Sequence, residues 1–539
     1  MTSLDRPRAT HEVTNQVPLL VGHNLYSGDA ALVEGIAREG GAWGTDRLLS
    51  AGAAAGSAEA QQHAARAEKH EPVLHTHDRY GNRVDEVELD PSWHWLLGQA
   101  VEREIPSLPW NAPGPGAHVV RAALLRMWIE LDMGVLCPVS MTYAGVPALR
   151  QQPELAAEWE PRLTLPDYVN GALIGMAMTE KQGGSDLRAS TTRAEPSGGG
   201  WWEVHGHKWF CSYPSCDVFL TLAQTATGVS CFLVERTDPG FRVQRLKDKL
   251  GTRSLPSSEI EFDHVRARLV GPEGRGIPTI IEMVNHTRLD CLVSSSATMR
   301  AGLTQAVHHA RHRSAFGRPL IEQSAMRNVL ADLALESEAA SVLALRVARS
   351  YDESAAGGEG AAGANAFRRL ATAVAKYWVC KRAPAHAAEA LECLGGNGFV
   401  EDSGLPRIYR DAPLNSIWEG SGNVAALDVL RALRKEPECL PAFLAECELA
   451  AGADRRLDAH LSETRARLAG LTEGDPEFAA RRVVADLCLA LQASLLVRHA
   501  PAAVGDAFCA SRLGGGGHTY GMLPGSVDVR PILERALGG

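Results

Sequence analysis

Apolar residues recur at helical spacing up to about residue 165, give way to short alternating runs, and then return at helical spacing in longer pieces. In the first region "SGDAALVEGIAREG" offers Ser27 or Asp29 as an N-cap ahead of apolar positions three and four apart, and segments 91 to 104 and 117 to 133 repeat that pattern. Between about 166 and 272 the runs "ALIGMAM", "WWEVHGHKWF", "DVFLTLAQT", "VSCFLVE", "FRVQRL" and "SSEIEFDHV" are rich in β-branched and aromatic residues. Gly, Pro, Ser or Asp separate them. They predict an antiparallel β domain. Long helices are predicted over 278 to 313, 324 to 352, 366 to 394 and 422 to 434. Pro384 should bend or break the third of these. "SAAGGEGAAGAN" ahead of it reads as a mobile connection. After "RKEPECLP" a further helical region follows, interrupted by the glycine run Gly514 to Gly517.

The expected fold class is therefore α+β and multidomain: an N-terminal helical domain (1–165), a central antiparallel, barrel-like β domain (166–275), a C-terminal helical bundle (276–436) and an extra helical region (437–539). A chain of 539 residues, 45% of them hydrophobic, has ample material for several cores. Its net charge of −10 supplies no global attraction to nucleic acid or to an anionic membrane. Eleven scattered cysteines without a CxxC pair argue against a disulfide framework or structural zinc, and fit a reducing cytoplasm. The opening "MTSLDRPRATHE" lacks an apolar signal core and no stretch approaches eighteen apolar residues, so neither export nor membrane spanning is expected.

Three short strings carry candidate chemistry. In "AMTEKQGGSDLRAS" (177–190) a strand-forming run ends in a polar glycine loop, whose free N–H groups and hydroxyls suit a planar ring or a phosphate, or simply close a hairpin. "LNSIWEGSGNV" (414–424) puts Glu419 between an indole and a glycine in a segment otherwise short of charge. Its G-x-G-x-x-A pattern is not a dinucleotide fingerprint, because no buried strand precedes it and helices flank it. "HHARHRSAFGR" (308–318) places His308 and His312 four apart, but Arg311 and Arg313 oppose a cation and no carboxylate or thiolate joins them, so no metal is expected.

Two longer stretches, in order and about 200 residues apart, are identified as the signatures of the acyl-CoA dehydrogenase flavoproteins: residues 177–186, and "ECLGGNGFVEDSGLPRIYRD" from Glu392 through Gly395, Gly396, Gly398, Asp402 and Arg407 to Asp411. "TNQVPLLVGHNLYSGD", "VHGHKWFCS", "RLKDKLGTRS", "SIWEGSGN" and the extra C-terminal helices resemble the AidB-like branch of that family, over essentially the full chain. The resemblance implies the order of helical domain, β domain and four-helix bundle. It also implies α,β-dehydrogenation of an acyl thioester with Glu419 as the base that removes the α-proton while FAD accepts hydride. Apolar neighbours such as Ile417 and Trp418 raise a carboxyl's pKa and strengthen it as a base, and Gly420 would leave room for substrate.

By the same resemblance FAD contacts fall on Met178, Thr179 and Ser185, on Phe210, Cys211 and Ser212, and on Ile417, Trp418, Ser421 and Asn423. Arg313, Phe316, Gly317, Gly395 and Gly396 correspond to residues that hold the diphosphate and adenine of a neighbouring subunit's FAD, which implies a homotetramer. One departure is Ser324 where the family has glutamine, with Gln323 one position early. Trp209 and Phe210 read on residue type alone as β-core aromatics. An electron-transfer flavoprotein is the implied acceptor. The branch also suggests DNA association. Charge does not support it, because residues 437–539 carry ten arginines, no lysine and thirteen acids, unless folding gathers Arg455, Arg456, Arg465, Arg467, Arg481 and Arg482 on one face.

Overall fold

The computed structural model describes residues 10–358, 360–472, 474–515 and 519–538. Asp29 caps the first helix, α1 (Ala30–Arg38), by accepting from the Leu32 amide. Helices α2 (Thr45–Ala55), α3 (Ala58–Lys69), α4 (Pro91–Glu102), α5 (Leu108–Asn111), α6 (Ala117–Leu131), α7 (Leu136–Leu149) and α8 (Pro153–Leu163) complete the N-terminal region. The pattern did not predict the hairpin β1 (Val73–His77) and β2 (Arg83–Glu88), whose polar residues carry little apolar alternation. Helix α6 is buried on nearly all sides, including Arg121 and Arg126, because it runs between α2 and the long helices of residues 276–312 and 324–355.

The central domain is one seven-stranded sheet made of β3 (Ile174–Ala177), β4 (Arg193–Gly198), β5 (Trp201–Cys211), β6 (Val218–Thr225), β7 (Gly228–Glu235), β8 (Phe241–Leu246) and β9 (Ser258–Val270). Most pairings are antiparallel, as expected. The exceptions are β3 alongside β6, where Ile174 faces Val218, and a single pairing of β4 with β6, so the sheet is mixed. The strand order runs β3-β6-β4-β5-β9-β7, and the additional β6–β7 pairing closes it into a ring, as in a barrel.

Three long helices form the heart of the bundle: α9 (Gly276–His312), α10 (Ser324–Ala355) and α11 (Ala361–Glu392). A two-residue-stranded hairpin, β10 (Ser314–Ala315) and β11 (Arg318–Pro319), joins the first two. Pro384 does not break α11, which continues through it to Glu392. The proline removes one donor, but packing of α11 against α9 and α10 holds the helix together. The connection expected to be mobile is also shorter than the sequence suggested, since helix α11 already begins at Ala361. Glu359 lies outside the described residues.

Helices α12 (Leu405–Asp411) and α13 (Gly422–Lys435) close the bundle around the Glu419 turn. Helices α14 (Cys439–Glu448), α15 (Arg455–Ala469), α16 (Pro476–His499), α17 (Ala502–Phe508) and α18 (Arg530–Ala536) form the appended region. It packs on α10, α11 and α13, and its buried side chains are continuous with the main core. Of the glycine run, Gly514 and Gly515 follow a π-helical turn, while Gly516 and Gly517 lie outside the described residues.

Candidate active site

Glu419 occupies a turn that an unassisted chain would avoid. Its φ is +58° and that of Gly420 is +98°, both in the left-handed region. For a non-glycine residue that conformation costs on the order of 1–3 kcal/mol. Two buried cations hold it. Lys376 of α11 donates through Nζ to the carbonyls of Trp418 (2.9 Å) and Gly420 (2.5 Å), and Arg288 of α9 donates through Nε to the carbonyl of Glu419 itself (3.0 Å). Hydrogen bonds of this charged kind contribute about 1.5–3 kcal/mol each, enough to offset the strain. Arg288 is itself fixed by Asp428 of α13 (2.7 Å), which also accepts from Arg369 and Arg431. Gly420 is dictated by the chain rather than by a substrate: besides its positive φ, a Cβ there would lie 3.0 Å from Val424 and 3.4 Å from Arg288.

The Glu419 carboxyl turns inward. Its Oε2 is closed off from solvent and has no hydrogen-bond partner. Burial raises its pKa above the usual carboxylate range, and Asp290 adds to the rise. The Thr287 hydroxyl, Arg288 and Lys376 moderate it. Asp290 stays in place through Arg121 and through the Ser140 hydroxyl (2.6 Å). Beside the base, Cys137 of α7 bonds with Ser212, and burial pushes its thiol up to about 12. This thiol is therefore neutral at physiological pH, and it bridges the Glu419 turn to the end of β5.

The first signature is built around Glu180 rather than around its hydroxyls. That carboxylate is fully buried, 2.8 Å from Lys208 Nζ, and also accepts from the Thr191 and Thr192 amides. These contacts hold its pKa well below the ordinary range. They fix the loop against β5, where the Trp209 amide donates to the Thr179 carbonyl (2.7 Å). This bond brings the strand end carrying Met178 and Thr179 alongside the end of β5, which carries Phe210 and Cys211.

Phe210 is 49% exposed and Ile417 is 60% exposed, so each presents an open apolar face, and Ser185, Ser421 and Asn423 are at the surface. This combination of exposed apolar faces, surface hydroxyls and an orphaned buried carboxyl oxygen fits a planar ring cofactor lying next to an acyl group. Cys211 needs correcting. Its side chain points into the core and its carbonyl accepts from Ser258, so only its remaining main chain can face a cofactor. Trp209 and Phe210 are not plain core aromatics either, because Lys247 Nζ sits 3.5 Å from the Trp209 ring centroid and 4.5 Å from that of Phe210.

The second group of predicted cofactor residues lies elsewhere. Helices α9 and α11 run in the same direction, with Cys380 against the Cys291 carbonyl and Gly302 against Ala390. Their C-terminal ends therefore share one end of the bundle, and there stand Arg313, Phe316, Gly395 and Gly396. From Arg288 to Arg313 helix α9 spans about 37 Å, farther than one dinucleotide reaches. Phe316 is 97% exposed and Phe399 is 82% exposed at that end. Arg313 donates to the Asn15 carbonyl (2.5 Å), and Gln323 donates to the Ala315 carbonyl (3.0 Å), so both are partly used within the chain. Arg407 and Asp411 of the second signature are structural: Arg407 donates to the Leu131 and Glu130 carbonyls, and buried Asp411 accepts from the Thr252 amide.

His308 contacts the Pro18 carbonyl and His312 the His308 carbonyl, and neither belongs to a three-ligand cluster among the described residues. Most of the C-terminal arginines are engaged within the chain, while Arg455 is exposed. Arg456 pairs with Asp454 and Asp506, Arg465 with Glu448, Arg467 and Arg482 with Asp486, and Arg481 donates to Asn423 of the base turn. The pattern of the sequence pointed to Glu419 but not to Thr287, Arg288, Lys376 or Cys137. Each of these lies within an ordinary-looking helix, and nothing marks it until the helices pack.

Residues 15–170 match the AidB N-terminal domain of the adaptive response protein, residues 175–265 the middle domain of acyl-CoA dehydrogenases, and residues 274–434 their C-terminal domain. The chain is 39% identical to the putative acyl-CoA dehydrogenase AidB of Escherichia coli, across 98% of this chain and 99% of that protein. The chain belongs to the acyl-CoA dehydrogenase family. This acyl-CoA dehydrogenase is also 32% identical to acyl-CoA dehydrogenase family member 11 of Caenorhabditis elegans, over 74% of this chain and 68% of that protein. Its fold superimposes on the crystal structure of Caenorhabditis elegans ACDH-11 in complex with C11-CoA with a TM-score of 0.87, at 27% identity and covering 98% and 93% of the two chains. Both full-length matches run through the appended helices, which the three domain families do not reach. The acyl-CoA dehydrogenase is therefore of the AidB-like type.

Proposed function

We propose that the protein is an FAD-dependent oxidoreductase that removes the α and β hydrogens of an acyl thioester. The observation that carries this reading is the inward Glu419 carboxyl, its Oε2 buried and unpartnered, on a turn that two cations hold in a strained conformation. Met178, Thr179 and Ser185 on one loop, and Phe210, Ser212 and the main chain at Cys211 on the next, would hold the ring. Ile417, Trp418, Ser421 and Asn423 would close over it. FAD bound there supplies the acceptor for the β-hydrogen, which leaves as hydride.

Glu419 takes the α-proton. A carboxylate whose pKa is raised by burial is the stronger base, and a positioned base of this kind contributes on the order of 10² to 10⁴ in rate. Lys376 and Arg288 fix the turn, so the carboxylate keeps its aim while substrate enters and leaves. Cys137 stays protonated and adds no competing charge. The α-carbon acidity that the base needs requires a thioester, carried by CoA or by a carrier protein.

The far-end residues Arg313, Phe316, Gly395 and Gly396 serve the FAD of a second subunit, and a homotetramer is the assembly that pairs such sites. Eleven free cysteines, ten of them buried, suit a reducing cytoplasm. No helix of the described residues is long and apolar enough to cross a membrane. An electron-transfer flavoprotein is the proposed electron acceptor.

Anaerobic titration of the yellow protein with a panel of acyl thioesters tests the proposal. Bleaching of the flavin absorbance by at least one of them, and its loss in Glu419→Gln with FAD still bound, is the expected result. A protein that takes up no FAD, or whose flavin no acyl thioester bleaches, refutes the reading.

A further inference from the structure

We propose that the β domain carries a divalent transition-metal site, of the zinc class, made by His205, Asp263 and His264. One ligand atom from each of the three lies within 4.8 Å of the others. Asp263 Oδ1 is 4.0 Å from His205 Nδ1 and 4.0 Å from His264 Nε2. Those gaps are too long for hydrogen bonds. They suit ligands that would each sit about 2.0–2.2 Å from a shared ion.

The backbone is shaped to bring the three together. Asp263 and His264 are consecutive on β9, and in a regular strand they would point to opposite faces. Opposite them the β5–β9 register shifts between Val204 and Gly206, so His205 faces both residues across a bulge. His264 takes φ +58°, a left-handed conformation uncommon for non-glycine residues but one that histidine adopts more readily than most. Bulges re-aim side chains in this way. Here the bulge turns the His264 ring beside that of His205, with centroids 4.7 Å apart.

The surrounding groups complete a metal-site pattern. Glu203 accepts from His264 Nδ1, which fixes the tautomer and leaves the Nε2 lone pair toward Asp263 and His205. Arg242 holds the other Asp263 oxygen, Oδ2, at 2.6 Å and keeps Oδ1 for the cluster. Glu195 and Glu203 act on His264 from β4 and β5, and the cations facing the cluster are Arg242 at Asp263 and Arg193, opposite His205 on β4. Three protein ligands leave one position for water or an exogenous ligand. The site is about 20 Å along β5 from Cys211, and so is separate from the proposed flavin site. Its residues are 58 positions apart in sequence, and no spacing rule exposes them.

Tag-free protein is titrated with Zn²⁺ in competition with a chromophoric chelator, and with Co²⁺ while its visible absorption is recorded. One equivalent bound tightly, with a Co²⁺ spectrum of nitrogen and oxygen ligation, is expected. A His205→Ala/His264→Ala variant is expected to lose that equivalent while keeping its far-ultraviolet circular dichroism. Glu203→Gln is expected to weaken binding by about 10- to 100-fold. Stoichiometric binding that persists unchanged in the double variant, or wild-type protein that binds no equivalent, overturns the proposal. Flavin content and dehydrogenase activity are not read in this test, so its outcome is independent of the function proposed above.

Discussion

At the scale of the residue, the proposed chemistry rests on Glu419. Replacing it with glutamine keeps the shape and removes the proton acceptor, and the single-turnover rate of flavin bleaching should fall by on the order of 10² to 10⁴. Because burial raises its pKa, the group must lose its proton in a low-dielectric site. The wild-type rate should therefore fall as pH drops through that raised value, and no such titration should remain in Glu419→Gln. The same shift sets a stability sign. A carboxyl whose folded pKa exceeds its unfolded value of 4.5 favours folding when protonated, and that contribution is lost as pH rises through the folded value. Glu419→Gln should thus melt at or above the wild-type temperature at pH 7, with the difference vanishing below pH 4.5. The sequence shows the importance of this residue because an isolated acid among Ile417, Trp418 and Gly420 is conspicuous. It does not show that Gly420 serves the backbone, or that Cys211 faces the core.

At the scale of the element, α9, α11 and α13 make the turn possible. Lys376→Met removes the donor to two carbonyls in a buried setting. An unfolding free energy lower by about 2–5 kcal/mol is expected in chemical denaturation, along with a slower proton-abstraction step at unchanged FAD content. Asp428 links Arg288, Arg369 and Arg431, and its pKa is held down to about 2. A depressed carboxylate contributes stability above its unfolded pKa of 3.8, and that contribution is lost as pH falls toward 2. Asp428→Asn should therefore cost about 2 kcal/mol at pH 7, a difference that shrinks between pH 3.8 and 2 when unfolding is followed by circular dichroism. The long helices were legible because 3.6-residue periodicity over thirty residues admits few alternatives. Pro384 misled the reading because tertiary packing outweighs one missing hydrogen bond. The β1–β2 hairpin escaped because its strands are exposed and polar.

At the scale of the whole molecule, Arg288, which holds the Glu419 turn, and the Arg313 group stand at different places along α9, so the proposed cofactor site draws on two chains. Arg313→Ala together with Phe316→Asp should reduce the assembly, measured by light scattering, and should lower the FAD content while leaving Glu419 and its cations intact. A mass unchanged from wild type, with full FAD content, would remove the far end from the cofactor account. In the appended helices, most of the arginines that might have formed a DNA platform are engaged by Asp454, Asp486, Glu448 and Asn423.

The sequence by itself determined the order of helical and β regions, the family of the protein and the residue proposed as the base. Periodicity and short signatures are local properties, and they survive without knowledge of packing. Only the tertiary structure decided which cations hold the base, which signature residues are merely structural, and which histidines meet across a bulge. Those facts depend on helices and strands brought together from distant parts of the chain, where a few ångströms of approach set charge, strain and reach.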